Sequence, residues 1–90
     1  MAKGWYYLGK VNAGAGRPAA AVAGYRRALG IDPLHTRSYL EIAQVLKDMD
    51  QENEALRYLR HGSRHARKPE LVQAALDAAT EAAGSPPRAY

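Results

Sequence analysis

The chain matches itself at a shift of 34 residues, and this internal repeat constrains its fold more than any other feature. A period of this length is typical of helical units that stack, because one unit alone cannot bury its own apolar face. The aligned positions carry side chains of similar size or charge. The aligned pairs are Trp5 and Tyr39, Leu8 and Ile42, Gly9 and Ala43, Val11 and Val45, Ala21 and Ala55, Tyr25 and Leu59, Arg26 and Arg60, and Ala28 and Gly62.

The first half of the repeat predicts a helix that ends in a tight turn. Trp5 and Leu8 are three residues apart and therefore share a helix face, which we expect to point towards the core. Gly9 beside them has no Cβ, so a second helix backbone can approach closely there. Further on, Gly16 suits the left-handed conformation that ends many helices, and Pro18 suits the first turn of the next helix.

The second half of the repeat predicts another helix that packs on the first. Ala21, Tyr25 and Ala28 follow the i, i+4, i+7 spacing of one helix face. The two alanines allow a close approach to the first helix, and Tyr25 fills the space between them. Pro33 cannot continue this helix and therefore stops it.

These signals predict an all-α chain that forms a single domain over residues 2–83. Alanine is abundant and no disulfide is available, because the chain has no Cys. The predicted segments are a first repeat at 2–35 with helices at 2–15 and 18–31, a second repeat at 36–69 whose first helix covers 37–49, a capping helix at 70–83 and a disordered tail at 84–90.

The end of the second repeat departs from the end of the first. Proline occurs at Pro69 rather than at position 67, which predicts that the preceding helix is slightly longer than its counterpart and that Gly62 loosens it. Pro69 then starts a last helix of the kind that covers the exposed end of a repeat array. Its predicted apolar face contains Leu71, Ala75, Ala78 and Ala82.

The residues of the first repeat resemble the pattern of the tetratricopeptide repeat, a helix–turn–helix unit of about 34 residues. Seven of the eight family positions are filled, and the eighth, usually Tyr or a large apolar residue, is Asn12. The resemblance covers residues 2–69 and implies a short right-handed α-solenoid of two repeats plus a capping helix. The seven matching residues are Trp5, Leu8, Gly9, Ala21, Tyr25, Ala28 and Pro33.

The same resemblance implies a function. Members of this family are usually scaffolds that hold a peptide or helix of a partner protein in a concave groove lined by the first helices of the repeats. It therefore implies a non-enzymatic protein–protein interaction module with a mildly basic groove, whose partner carries acidic and apolar residues. The residues at the matching groove positions are Lys3, Tyr6, Lys10, Arg37, Leu40, Gln44 and Lys47.

A run of basic residues near the end of the second repeat supports an alternative function. The residues recur every three or four positions and would form a basic stripe on the outer surface, where they could contact phosphates of nucleic acid or another polyanion. A solvated helix face that pairs with nearby acids is the favoured interpretation, so nucleic acid is the less favoured partner. The stripe consists of Arg57, Arg60, Arg64, Arg67 and Lys68.

Other chemistry has weaker support in the sequence. Residues 14–19 imitate a glycine-rich dinucleotide-binding loop, but that motif requires flanking strands, and the helical repeat explains the same residues. His61 and His65 are four residues apart, yet no third ligand lies near them and the surrounding arginines repel a cation. No arrangement of catalytic side chains is recognisable, so we expect no enzyme activity, no metal site and no cofactor.

The N-terminal segment carries two further expectations. It lacks an apolar run long enough for a signal peptide or a membrane span, so the cytoplasm is the default location and no membrane partner is expected. No capping element precedes the first helix in this sequence. Trp5, Tyr6 and Tyr7 are therefore expected to form an exposed apolar patch, which makes a homo-oligomer or self-assembly unit a further alternative.

Overall fold

The structure, a computed structural model, describes residues 1–82 and consists of five helices joined by short turns. No strand occurs within these residues, and the prediction of an all-α fold is confirmed. Residue 83, the predicted tail at 84–90 and the side chain of Ala82 lie outside the described part of the chain. The helices are α1 (Ala2–Gly14), α2 (Pro18–Ile31), α3 (Thr36–Asp48), α4 (Glu52–His65) and α5 (Pro69–Ala82).

The helices are arranged as a linear array. Each helix packs on the next one along the chain, and α3 also contacts α1 and α5. The molecule is therefore elongated, measuring 48 × 28 × 15 Å, with α1 and α5 at opposite ends. The core runs along the array, and its largest fully buried side chains include Tyr25, Ile42, Leu46 and Val72.

The turn between the two helices of each repeat has the same geometry in both copies. Gly16 has a φ of 77°, and Asp50, which lies 34 residues later, has a φ of 62°. In both turns the next backbone N–H returns to a carbonyl five residues earlier, at 2.8 Å from Arg17 to Asn12 and at 2.8 Å from Gln51 to Leu46. Such a bond caps the end of the helix by satisfying a free carbonyl. The 34-residue period is thus present in the backbone as well as in the sequence.

Helices α1 and α2 approach each other through two glycines. A Cβ added to Gly24 would lie 3.1 Å from the Cα of Gly9, and one added to Gly9 would lie 2.7 Å from the ring of Tyr25. Both distances are shorter than an ordinary van der Waals contact, so neither position accepts a side chain without movement. The prediction of a close helix contact at Gly9 is confirmed.

Two predictions about helix α4 were wrong. The helix has 14 residues, the same length as α2 rather than longer. Gly62 does not loosen it, because a Cβ at this position would lie 2.7 Å from Cγ of Tyr39. The glycine is buried, and because it has no side chain it leaves room for the buried ring of Tyr39.

The face that α5 turns to the core also differs from the prediction. Val72 is fully buried, with 0% of its surface exposed, whereas Leu71 remains 48% exposed and Ala78 is exposed. Ala75 is partly buried, as are Leu76 and Ala79, which pack against the core. The helix is thus rotated relative to the predicted face, with Val72 rather than Leu71 turned into the core.

The loops that close the two repeats are joined to each other by hydrogen bonds. The backbone N–H of Arg67 donates to the carbonyl of Leu34 at 2.8 Å, and the N–H of Lys68 donates to the hydroxyl of Thr36 at 2.9 Å. The guanidinium of Arg67 also donates two hydrogen bonds to the carboxylate of Asp32, at 3.2 and 3.3 Å. A proline at position 67 would lack the N–H, which explains why the second repeat does not end like the first.

Two buried tyrosines give opposite expectations for loss of the hydroxyl group. The Tyr39 hydroxyl donates to the Pro33 carbonyl at 2.6 Å, whereas the Tyr25 hydroxyl has no hydrogen-bond partner among residues 1–82. Tyr39→Phe should lower the free energy of unfolding by about 1 kcal/mol, and Tyr25→Phe should leave it unchanged or raise it. Urea titrations of the two variants measure the difference. An equal loss in both would contradict the assigned hydrogen bonding.

Candidate functional site

A concave surface lies between α3 and α5 at the second-repeat end of the array. It consists of two neighbouring hollows of about 430 and 490 Å³, which have Leu40 as a common lining residue. We refer to it as the α3–α5 groove. The first hollow is lined by Leu40, Ala43, Gln44, Lys47, Glu52, Ala55, Leu56, Leu59, Ala75, Ala78 and Ala79, and the second by His35, Thr36, Arg37, Leu40, Glu41, Arg67, Lys68 and Leu71.

The first hollow is open because five of its eleven lining residues are alanines. Ala43 and Ala55 are buried beneath it, and Ala75 and Ala79 form the wall contributed by α5. Alanine at these positions leaves a space that a larger apolar side chain would fill in a solid core. This half of the groove is therefore a mainly apolar cleft of a size typical of ligand sites, with Gln44, Lys47 and Glu52 as its polar lining residues.

The second hollow is cationic. Arg37, Arg67 and Lys68 line it, with Glu41 as the acidic residue among its lining side chains. Glu41 is paired with Lys10 at 3.4 Å, so its charge is partly offset already. The α3–α5 groove thus joins an apolar cleft to a basic end.

Two titratable groups beside the basic end have shifted pKa values. Burial lowers the pKa of His35, an effect that nearby Asp32 opposes and that Arg67 and Arg37 reinforce, so the neutral imidazole is favoured. Its Nδ1 lies 2.7 Å from the hydroxyl of Ser38, which is fully buried. Hydrogen bonds from Arg67 lower the pKa of the Asp32 carboxyl. The arginine is therefore partly neutralised, and Arg37 and Lys68 carry most of the free positive charge.

Four of the seven residues predicted for the groove line it, and three do not. Arg37, Leu40, Gln44 and Lys47 lie on α3 and face the two hollows. The three on α1 lie outside the α3–α5 groove. They are Lys3, Tyr6 and Lys10.

Tyr6 was wrongly predicted as a contact for a partner, because its side chain belongs to the core. Only 2% of its surface is exposed, and its ring packs against Tyr25 at 5.8 Å and His35 at 5.1 Å. Lys10 reaches from α1 to Glu41 on α3, while Lys3 is exposed on the surface of α1. The ion pair between Lys10 and Glu41 thus joins α1 to α3 at the place where the groove was expected to continue.

The sequence reading missed the contribution of α5 to the groove. Leu71, Ala75 and Ala78 line it, but they were assigned to the core face of a capping helix. A signal was present, since a second shift of 34 residues aligns Leu71 with Arg37 and Ala78 with Gln44. This shift aligns α5 with α3, the first helix of the second repeat.

The predicted basic stripe is divided between two surfaces. Arg67 and Lys68 follow the end of α4 and line the α3–α5 groove instead of the outer face. On α4 itself, Arg57 pairs with Glu54 at 3.3 Å, whereas Arg60 and Arg64 are exposed and form no ion pair within residues 1–82. The outer face therefore keeps two unpaired arginines.

Other groups on the outer face do not form a metal site. The rings of His61 and His65 lie 4.4 Å apart, and Arg26 on α2 donates a hydrogen bond to the hydroxyl of Tyr58 at 2.9 Å. Within residues 1–82 no three or more potential metal-binding side chains come together.

The exposed apolar surface of α1 differs in composition from the predicted patch. Tyr6 is buried, and Trp5 is only partly exposed, with the guanidinium of Arg27 4.9 Å from the ring centre. Leu8, expected in the core, is 48% exposed instead. We define the α1 face as Gly4, Tyr7, Leu8 and Val11, which share one side of the helix.

Comparisons with models of known protein families and with curated proteins found no match to this chain. Among residues 1–82, no helix is both long enough and apolar enough to cross a membrane.

Proposed function

We propose that the chain is a tetratricopeptide-like interaction module that binds a segment of another protein in the α3–α5 groove. The observation that carries the proposal is the mainly apolar cleft between α3 and α5, which lies next to a basic hollow. Groups that perform chemistry are not needed for such a role, and the groove residues are suited to packing and to charge recognition. The module is non-enzymatic in this proposal.

The groove chemistry favours a particular kind of partner segment. Large apolar side chains would fill the cleft beside Ala75 and Ala79, and each one fully buried contributes about 1.5–3 kcal/mol. An acidic residue next to them would lie near Arg37 and Lys68. These exposed charges mainly speed association and select the partner, so binding should weaken as salt rises. The fitting ligand is an amphipathic helix or extended segment with Asp or Glu beside large apolar residues.

The proposal predicts which peptides the chain selects and which substitutions weaken their binding. Peptides chosen from a random library by the wild-type chain should combine large apolar residues with Asp or Glu. Ala78→Leu fills the cleft, and Arg37→Glu with Lys68→Glu reverses the charge of the basic end. Each change should weaken binding by roughly tenfold or more, a loss of about 1.4 kcal/mol or more. Fluorescence titrations of the selected peptides measure the effect.

A matched pair of substitutions on the outer face serves as the control. Arg60→Glu with Arg64→Glu reverses the same amount of charge at a distance from the groove. Peptide affinity should remain within about twofold of the wild type, because only rim or remote charges change. If the outer pair abolishes binding and the groove variants do not, the groove model is wrong and the basic outer face is the functional surface.

A further inference from the structure

His35 lines the basic hollow of the α3–α5 groove from the loop between α2 and α3, and its side chain is half-buried there. The imidazole is held in place on its inner side. Its ring packs against Tyr6 at 5.1 Å, and Nδ1 lies 2.7 Å from the buried hydroxyl of Ser38. Nε2 forms no hydrogen bond with any of residues 1–82. One ring nitrogen is therefore engaged by the protein, and the other is left for a ligand in the hollow.

The charged groups around His35 leave an excess of positive charge in the hollow. Arg37 and Lys68 line it and form no ion pair within residues 1–82, whereas the nearby acids Asp32 and Glu41 are each paired with a base. This excess and the burial of the ring both oppose a further proton on the imidazole. The titratable and charged groups that face His35 are Tyr6 from α1, Asp32 from the α2–α3 loop, Arg37 and Glu41 from α3, and Arg67 and Lys68 from the segment that follows α4.

An acidic side chain bound in the hollow would reverse this balance. A carboxylate beside Arg37 and Lys68 supplies the negative charge that the hollow lacks, and an opposite charge within about 4–6 Å favours the protonated imidazole. In that form both ring nitrogens are donors, so Nδ1 donates to Ser38 and Nε2 can donate to the carboxylate. Given the proposed function of the groove, we propose that His35 couples partner binding to a proton, so that the groove holds an acidic partner segment more tightly at acidic than at neutral pH.

The direction of the effect follows from the balance of protons. The bound state takes up a proton that the free state does not hold, so mass action strengthens binding as the pH falls through the range in which His35 titrates. The partner's carboxylate stays ionised above about pH 5, which leaves a range between about pH 5 and 7 for the effect. The other two histidines, His61 and His65, are exposed on α4 and do not line the groove.

Titrations of a library-selected peptide that carries Asp or Glu test the coupling at about pH 7.5 and about pH 5.5, on either side of the ordinary histidine pKa. The affinity of the wild-type chain should be roughly threefold or more higher at the lower pH. His35→Gln, which stays polar but takes up no proton, should bind equally at both. A peptide analogue with Asn or Gln in place of the acid should bind the wild type equally at both as well.

His61→Gln with His65→Gln is the matched control for these titrations. It removes the two exposed histidines and keeps His35. This variant should show the same pH response as the wild type, because neither replaced side chain lines the groove.

The titration of His35 in the chain without peptide is a second measurement. Arg37→Glu places a carboxylate in the hollow and so imitates the bound acid covalently. The pKa of His35, measured by NMR, should therefore be higher in this variant than in the wild type. Arg60→Glu makes the same charge change on the exposed face of α4 and should leave the pKa of His35 unaltered, because salt screens exposed charges that lie far apart.

The two measurements separate the proton coupling from the groove model. If the selected peptides bind equally at both pH values, or if His35→Gln responds to pH as the wild type does, the coupling is wrong and the groove model stands. An unchanged pKa of His35 in Arg37→Glu would overturn the coupling whether or not a peptide binds. A raised pKa in that variant, with no peptide bound in the groove of the wild type, would instead overturn the proposed function alone.

Discussion

Gly24→Val is expected to lower the free energy of unfolding by about 3 kcal/mol, at the upper end of the range for overpacked sites. Even the first carbon of a side chain at this position would lie 3.1 Å from the backbone of Gly9 and 3.1 Å from the carbonyl of Trp5. Both neighbours are backbone atoms, so no side-chain rotation relieves the contact. Helices α1 and α2 would have to separate along their length, and the packing of Tyr25 against Gly9 would be lost.

Gly30→Ala is the matched control for this prediction. Gly30 lies on the same helix, and a Cβ there would meet no atom within 4 Å. The substitution should raise the free energy of unfolding by about 0.5–1 kcal/mol, because alanine favours the helix more than glycine does. Urea titrations followed by circular dichroism measure both variants. Similar midpoints for Gly24→Val and the wild type would show that the helices are not in such close contact.

The sequence predicted the close contact at Gly9 but not its partner at Gly24. The 34-residue comparison finds Gly9 because its counterpart, Ala43, is also small. Gly24 aligns with Tyr58, so the comparison gives no sign that a small residue is needed there. In the structure Tyr58 instead accepts a hydrogen bond from Arg26 of the first repeat. The two hairpins share a backbone plan, but the contacts between their helices differ in detail.

The sequence also predicted only part of the candidate groove, again because contacts between helices are not visible in a comparison of the repeats. Periodicity determines which side of a helix a residue occupies, and it placed Leu40 and Lys47 on the side of α3 that lines the first hollow. It does not determine how closely the next helix approaches. Tyr6 occupies the position equivalent to Leu40, yet it is buried by the Tyr25 and His35 rings. The bridging of α1 and α3 depends on contacts between repeats, which a comparison of the repeats with each other does not reveal.

The helix that forms one wall of the groove also determines the stability of the second-repeat end. Val72 on α5 is fully buried, and α5 packs against α4. Val72→Asp would place an unpaired carboxylate in this contact, a change that belongs to the rare class costing about 4 kcal/mol or more. We expect α5 to detach from α4 and the groove to lose its wall of alanines, so that peptide binding is lost together with stability.

The linear arrangement of the helices predicts which part of the chain is destabilised by Val72→Asp. In an array whose helices contact mainly their neighbours, stability is approximately a sum of local and nearest-neighbour terms. Val72→Asp should therefore lower the melting midpoint measured by circular dichroism more than that measured by fluorescence of Trp5, the single tryptophan, which lies on α1 at the other end. Ala74→Asp adds the same charge to an exposed position of α5 and should change both midpoints little. Equal effects of the two substitutions would show that α5 is not packed through Val72, because only the buried position penalises the charge.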